Sequence, residues 1–162
     1  MATLHFVYGK PGAGKTSLAR ELATRVPAVP FIEDDWLNTL CDPITTLAQY
    51  GEGARRVRAV IAPLATRILE LGTSVAFDFA ANTPRDRAWV RSIFEAAGAD
   101  HILHILDLPD EECRRRVHER NATKPAGLYF GDVSDAIFDA VLPHITLPTE
   151  AEEFKLLVHD VV

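Results

Sequence analysis

Cysteine is scarce in this chain. Only Cys41 and Cys113 occur, far apart and outside any paired motif. That argues against a disulfide framework and makes a reducing cytoplasm the expected setting. No apolar run approaches the roughly 18 residues that a membrane-spanning helix needs, so no transmembrane segment is expected. The start, Met1-Ala2-Thr3-Leu4-His5, has neither a basic stretch nor a long apolar one, and no signal peptide is expected. Positive charge is in deficit too. Seventeen Lys and Arg face 23 Asp and Glu, a formal charge of −6, which argues against a large nucleic-acid footprint and leaves only a local basic patch. Internal repeats, low-complexity tracts and linker-like shifts are also missing. What remains is 162 residues, 48% hydrophobic and 25% charged. Those values suit one globular domain over 1–162 and exclude a disordered tail, a collagen-like fibre and a coiled coil.

Strand and helix signals alternate along the chain. Leu4-His5-Phe6-Val7-Tyr8 is short, β-prone and followed at once by glycines, so it reads as a buried strand. A helix is expected over 16–26, stopping before Pro27, and a second strand over 29–33. Residues 54–71 place Val57, Val60, Ile61, Leu64, Ile68 and Leu71 on one helical stripe, with Pro63 predicting a kink or a split. Ser74-Val75-Ala76-Phe77-Asp78 is a continuous apolar run ending in a carboxylate, as in a parallel strand covered on both faces. Thr83 and Pro84 give an N-cap and a first helical position. A strand is expected over 101–106, a helix opened by Pro109, and a last strand over 154–158. The alternation implies an α/β sandwich with a mainly parallel sheet. The stretch 122–153 holds three of the ten prolines and one clear helical segment, 134–141.

Gly9-Lys10-Pro11-Gly12-Ala13-Gly14-Lys15-Thr16 matches G-x-x-x-x-G-K-[ST] at every fixed position, with a strand before it and a helix after it. The glycines let the backbone curl so that successive N–H groups point inward as an anion nest. The following helix adds its positive N-terminal end. Lys15 is expected on the β- and γ-phosphates and the Thr16 hydroxyl on Mg²⁺. The nucleotide-binding stretch is thus Gly9, Pro11, Gly12, Ala13, Gly14, Lys15, Thr16 and Ser17, although the variable positions Lys10 and Pro11 carry no assigned chemistry.

Ligands of open α/β sheets bind beyond the carboxyl ends of the strands. Two acidic sites fall there. Asp78 ends the third strand and is expected to hold Mg²⁺; otherwise it caps the following turn. Glu33-Asp34-Asp35 follows the second strand, where a carboxylate could accept the proton of an attacking hydroxyl. Asp34 is preferred over Asp35, but a one-residue slip in register would exchange them. On the helix opened by Pro109, Arg116 and Arg120 share a face that suits two guanidinium groups on a polyphosphate. Its competing reading is helical pairing of Glu112 with Arg116 and of Glu111 with Arg115. The stretch after it, about 121–131, reads as a mobile lid in which Lys124 adds a cation.

The six histidines show no pair at metal-ligand spacing on an expected helix, and His101 and His104 alternate across their strand. Trp36 and Trp89 read as packing residues, Trp36 also as a candidate pocket wall. Tyr129 and Phe130 are either core anchors or a stacking surface. Arg55-Arg56-Val57-Arg58 is either a phosphate-tracking stretch or the solvated face of a helix.

Together these motifs resemble the small P-loop kinases of the polynucleotide-kinase-like and zeta-toxin-like group, which includes chloramphenicol phosphotransferase and gluconate kinase. The resemblance runs from the phosphate loop through Asp34, then Asp78 with Asn82-Thr83-Pro84, to Arg116 and Lys124. It implies a three-layer fold with a five-stranded parallel sheet in the order 2-3-1-4-5. It further implies an ATP- and Mg²⁺-dependent transfer of a phosphoryl group to an alcohol, with Asp34 as general base. Polynucleotide kinases usually carry an arginine three residues after the base. Here that position is Leu37 counted from Asp34 or Asn38 counted from Asp35. The expected acceptor is therefore a small hydroxyl compound. The alternatives are a 5′-hydroxyl polynucleotide and a nucleotide-binding switch without an acceptor.

Overall fold

The computed structural model describes residues 1–160. Five strands, β1 (Thr3–Gly9), β2 (Ala28–Ile32), β3 (Ser74–Asp78), β4 (Asp100–Leu106) and β5 (Leu156–Val158), form one sheet in the order β2-β3-β1-β4-β5. Every neighbouring pair is parallel. Six α-helices connect them: α1 (Lys15–Arg25), α2 (Glu33–Leu40), α3 (Leu47–Glu70), α4 (Pro84–Ala97), α5 (Asp110–Thr123) and α6 (Asp135–Val141). Alternation of side chains along β1 divides the core. Leu4, Phe6 and Tyr8 pack with Val57, Ile61, Val90 and Phe94 from α3 and α4. Val7 packs on the other face with Cys113, Val117 and Phe138 from α5 and α6. The register brings the carboxyl ends together: Ile32 pairs with Asp78, and Gly9 with Leu106. The carboxyl ends of β1, β2, β3 and β4 therefore open onto one rim.

Several boundaries differ from the sequence reading. The second strand stops at Ile32 and Glu33 already begins α2. Three consecutive acids sit in that first turn, where the helix dipole favours negative charge. The third helix starts seven residues earlier than expected, at Leu47, because Thr46 and Gln49 form a reciprocal capping box. It runs unbroken through Pro63. Pro63 and Ala59, whose carbonyl loses its helical donor, are both exposed, so water can take that bond. Its buried stripe is Ala54, Val57, Ile61, Ala65 and Leu69, while Val60, Leu64 and Leu71 face outward. The last strand is confined to Leu156–Val158, and 142–152 contributes two short 3-10 turns.

That C-terminal stretch is held by Arg87 of α4, a fully buried arginine. Its guanidinium donates to both carboxylate oxygens of Glu152 at 2.8 and 3.0 Å, and to the carbonyls of Ala81 and Thr146 at 3.1 and 2.8 Å. A buried charge persists when its donors are matched in this way.

Candidate active site

The phosphate loop bridges β1 and α1, and its shape depends on glycine. Gly12 has φ +82°, and a Cβ there would lie 2.4 Å from the carbonyl oxygen of Cys113 on α5. Gly14, the residue before α1, has φ +97° with open space around it. Both conformations are costly for any other residue. Lys15 folds back across the loop and donates to the carbonyls of Gly9 at 2.8 Å and Lys10 at 3.0 Å. Burial lowers its pKa, against which the Asp78 carboxylate acts. The Thr16 hydroxyl donates to Asp78 at the end of β3. Strand register places that carboxylate beside the start of α1. Ser17 is exposed, and Pro11 is half-buried in the loop.

Asp34 and Asp35 part company in the first turn of α2. Asp34 is partly buried. Burial and the Asp78 charge push its pKa up, and Lys15 and Arg120 pull it down. It thus shares its surroundings with the phosphate-loop lysine, the β3 carboxylate and an α5 arginine. Asp35 is exposed and meets Arg20 of α1 at 3.4 Å. Successive helical residues point about 100° apart, which separates the two.

The α5 arginines also divide. Arg114 pairs with Asp135 at 2.8 Å and Asp139 at 2.5 Å, fixing α6. Arg115 and Arg116 pair with Glu112, Arg116 at 2.6 Å. Helical pairing therefore claims Arg116. Arg120 differs. Its Nε is buried without a hydrogen-bond partner, one of two such side-chain atoms among the described residues. A guanidinium held near Lys15 with an unmet donor fits an anion. The loop N–H groups, Lys15 and the Thr16–Asp78 pair on the same rim fit a Mg²⁺-nucleotide by the same test.

Residues 121–123 continue α5, so the expected lid begins as helix. Lys124 ends it with φ +46° and stands over the Tyr129 ring at 5.4 Å. Asn121 bridges both backbone groups of Val133 at 2.8 and 3.2 Å. Gly127 lies close against the Arg20 guanidinium, where a Cβ would be 2.6 Å away.

Three contacts escape sequence reading. Asn82 accepts from the Gly9 N–H and donates to the Gly9 carbonyl. Lys10, assigned no chemistry from the motif, donates to the Leu108 carbonyl at 2.8 Å and pairs with Asp110 at 2.7 Å, tying the loop to the start of α5. Arg58 is half-buried between Glu33 and Asp86 instead of lying on a solvated face. The partners lie far apart in sequence, so no local pattern marks them. Trp36 stacks on Phe31, and Trp89 on Phe77, as packing residues.

A family model described as an AAA domain matches residues 4–148. None of the curated proteins matches the sequence. Among solved structures, the chain is similar to a Chloroflexus aurantiacus protein described as a candidate kinase, at 20% identity and TM-score 0.75, over 97% of this chain and 86% of that one. It is similar to Mycobacterium tuberculosis APS kinase CysC, solved with AMPPNP and APS, at 20% identity and TM-score 0.60, over 99% and 90% of the two chains. It is also similar to a chain of the Pnkp1/Rnl/Hen1 RNA repair complex, at 19% identity and TM-score 0.63, over 88% of this chain and 43% of that one. These likenesses are of fold.

Proposed function

The chain belongs to the AAA domain family, and on that premise we propose that it is a small P-loop kinase that transfers the γ-phosphoryl group of ATP to a hydroxyl of a small molecule. The observation that carries this reading is the grouping of Asp34 with Lys15, Asp78 and Arg120 on one rim. A nucleotide-binding switch needs the cations but no partly buried carboxylate beside them. Bound Mg-ATP supplies the transferable phosphoryl group, with the metal neutralising its charge. The chain supplies the rest. Loop N–H groups and Lys15 hold the phosphates, and Thr16 and Asp78 hold the metal. Asp34 accepts the proton of the acceptor hydroxyl. Arg120 balances charge on the transferred group, with Arg116 behind it, held by Glu112. The stretch 121–131 closes over the nucleotide as a lid on a single domain spanning 1–162.

Two observations favour a small acceptor over a polynucleotide. The basic stretch on α3 is engaged: Arg55 and Arg56 pair with Glu52, and Arg58 with Glu33 and Asp86. The position of the expected phosphate clamp is filled either by Leu37, buried in the core, or by Asn38, whose side chain bonds the Asp34 carbonyl. Labelling with [γ-³²P]ATP across hydroxyl-bearing metabolites, antibiotics and 5′-hydroxyl oligonucleotides tests the assignment. Transfer to small compounds that Lys15→Ala abolishes is expected. Salt-sensitive labelling of the oligonucleotide in preference to them would overturn it.

A further inference from the structure

Arg58 lies where three helices meet. From α3, its Nε donates to Glu33 at 3.2 Å and its Nη1 to Asp86 at 2.8 Å. The guanidinium lies over the Trp89 ring, 5.0 Å from its centroid, and 6.0 Å from that of Phe79. Glu33 is the first residue of α2 and is 95% buried, its relative exposure being 5%. Its other oxygen faces the Tyr50 hydroxyl at 3.4 Å. Asp86 lies in the first turn of α4 and accepts from the Thr83 hydroxyl, which caps that helix, at 2.6 Å. Thr83 follows Asn82, which brackets Gly9. A continuous polar chain thus runs from the phosphate loop through Asn82, Thr83, Asp86, Arg58 and Glu33 to the residue next to Asp34.

We propose that Arg58 is a positioning residue that sets the separation between the acceptor-side carboxylate Asp34 and the phosphate loop. This rests on the kinase reading. A planar fork with donors in fixed directions suits the task, because it holds two carboxylates at a defined spacing that a single ammonium cannot. Glu33, anchored at the start of α2, fixes the rotation of that first turn, and Asp34 follows it. Reaction rates respond steeply to such placement: an error of about 1 Å can cost about 100-fold.

The test is a double-mutant cycle. Arg58→Ala, Asp34→Asn and the double variant are compared with the parent for ATP turnover, with water or an identified alcohol as acceptor, for the KM of ATP, and for thermal midpoint. Arg58→Ala should lower kcat about 10–100-fold and leave the KM of ATP within about twofold, as expected when geometry rather than nucleotide binding is lost. In the double variant the loss should match Asp34→Asn alone, since a misplaced base that is already absent costs nothing more. Arg58→Lys should fall between parent and Arg58→Ala. If Arg58→Ala does not fold, Asp86→Asn, which frees one end of the bridge and leaves Arg58 packed, replaces it in the cycle. Multiplicative losses in the double variant, or a fall explained by a raised KM, would overturn the positioning role. Turnover that survives Lys15→Ala would instead sink the kinase reading, so the two failures are distinguishable.

Discussion

The side chain of Asn82 lies across the backbone of Gly9, accepting from its N–H at 3.0 Å and donating to its carbonyl at 2.9 Å. A side-chain amide matches a peptide group donor for acceptor, so this pair behaves like one added rung of sheet at the point where β1 becomes the phosphate loop. The Asn82 carbonyl in turn accepts from the Thr146 N–H at 2.8 Å, joining the bracket to the C-terminal stretch.

Asn82→Ala should therefore loosen the loop. It strips the Asn82 acceptor from the Gly9 N–H and one donor from its carbonyl, which keeps Lys15, at about 1–3 kcal/mol for a buried group left unmet. Calorimetry should show AMPPNP binding weakened about tenfold, with a lowered thermal midpoint. Unchanged values for both would show that the loop holds its shape without the bracket.

Asp34→Asn should reduce turnover about 10²–10⁴-fold, the range for general-base assistance, and leave AMPPNP affinity close to that of the parent. Asp35→Asn removes only an exposed pair with Arg20 and should change little. The Asp34 pKa is raised, so the acid limb of the pH–rate profile should lie above the ordinary aspartate range. A raised carboxyl pKa means the folded state binds protons more readily than the unfolded chain, so stability falls as pH rises through that window. Asp34→Asn should accordingly be neutral or stabilising at pH 7. Silencing by Asp35→Asn would transfer the role to that residue.

Arg120→Ala should separate function from stability. Losing a charge-assisted contact to phosphate, about 1.5–3 kcal/mol, weakens AMPPNP binding about 10–100-fold. Its buried Nε has no partner to lose, so the melting midpoint should hold or rise. A marked drop in stability with unchanged binding would mark the arginine as a packing residue.

Three histidines form a row on β1, β4 and the C-terminal stretch. His5 Nδ1 lies 3.0 Å from His104 Nε2, and His104 Nδ1 lies 2.8 Å from His159 Nε2. The two ring-to-ring contacts are met when the rings are neutral, since a protonated ring sets donor against donor, while His5 Nε2 is buried without a partner. Burial lowers the His5 pKa despite Asp100, and burial followed by the two neighbouring rings takes His104 to about 4. A folded pKa below the unfolded value of about 6.5 means the unfolded chain takes up protons first. The contribution of the row to stability should thus be full above pH 6.5 and decline toward pH 4, by up to about 3 kcal/mol from His104 at about 1.4 per unit. Urea midpoints across that range should fall steeply for the parent and less so for His104→Phe. Parallel curves would contradict the assignment.

The sequence by itself determined whatever follows from neighbours along the chain. Gly9 to Thr16 is contiguous, so its spacing was enough to place a phosphate loop between strand and helix. Thr83 with Pro84 is a local cap, and the start of that helix was legible. The capping box of Thr46 and Gln49 is equally local, but Gly51 and Gly53 follow it and weaken the helical signal of that stretch. The tertiary structure decided what depends on register and on distant partners. Whether Asp34 or Asp35 faces Lys15 turns on a single residue at the end of β2, where the strand passes directly into α2. Arg116 and Arg120 look alike as letters four apart, but Glu112 takes one and leaves the other with an unmet buried donor. Arg58 reads as part of a solvated basic run until α2 and α4 bring Glu33 and Asp86 to it across 25 and 28 residues of chain. Local propensity and spacing act over a few residues, whereas an ion pair across a sheet rim exists only once the helices are packed, and that is why these roles appear in the fold alone.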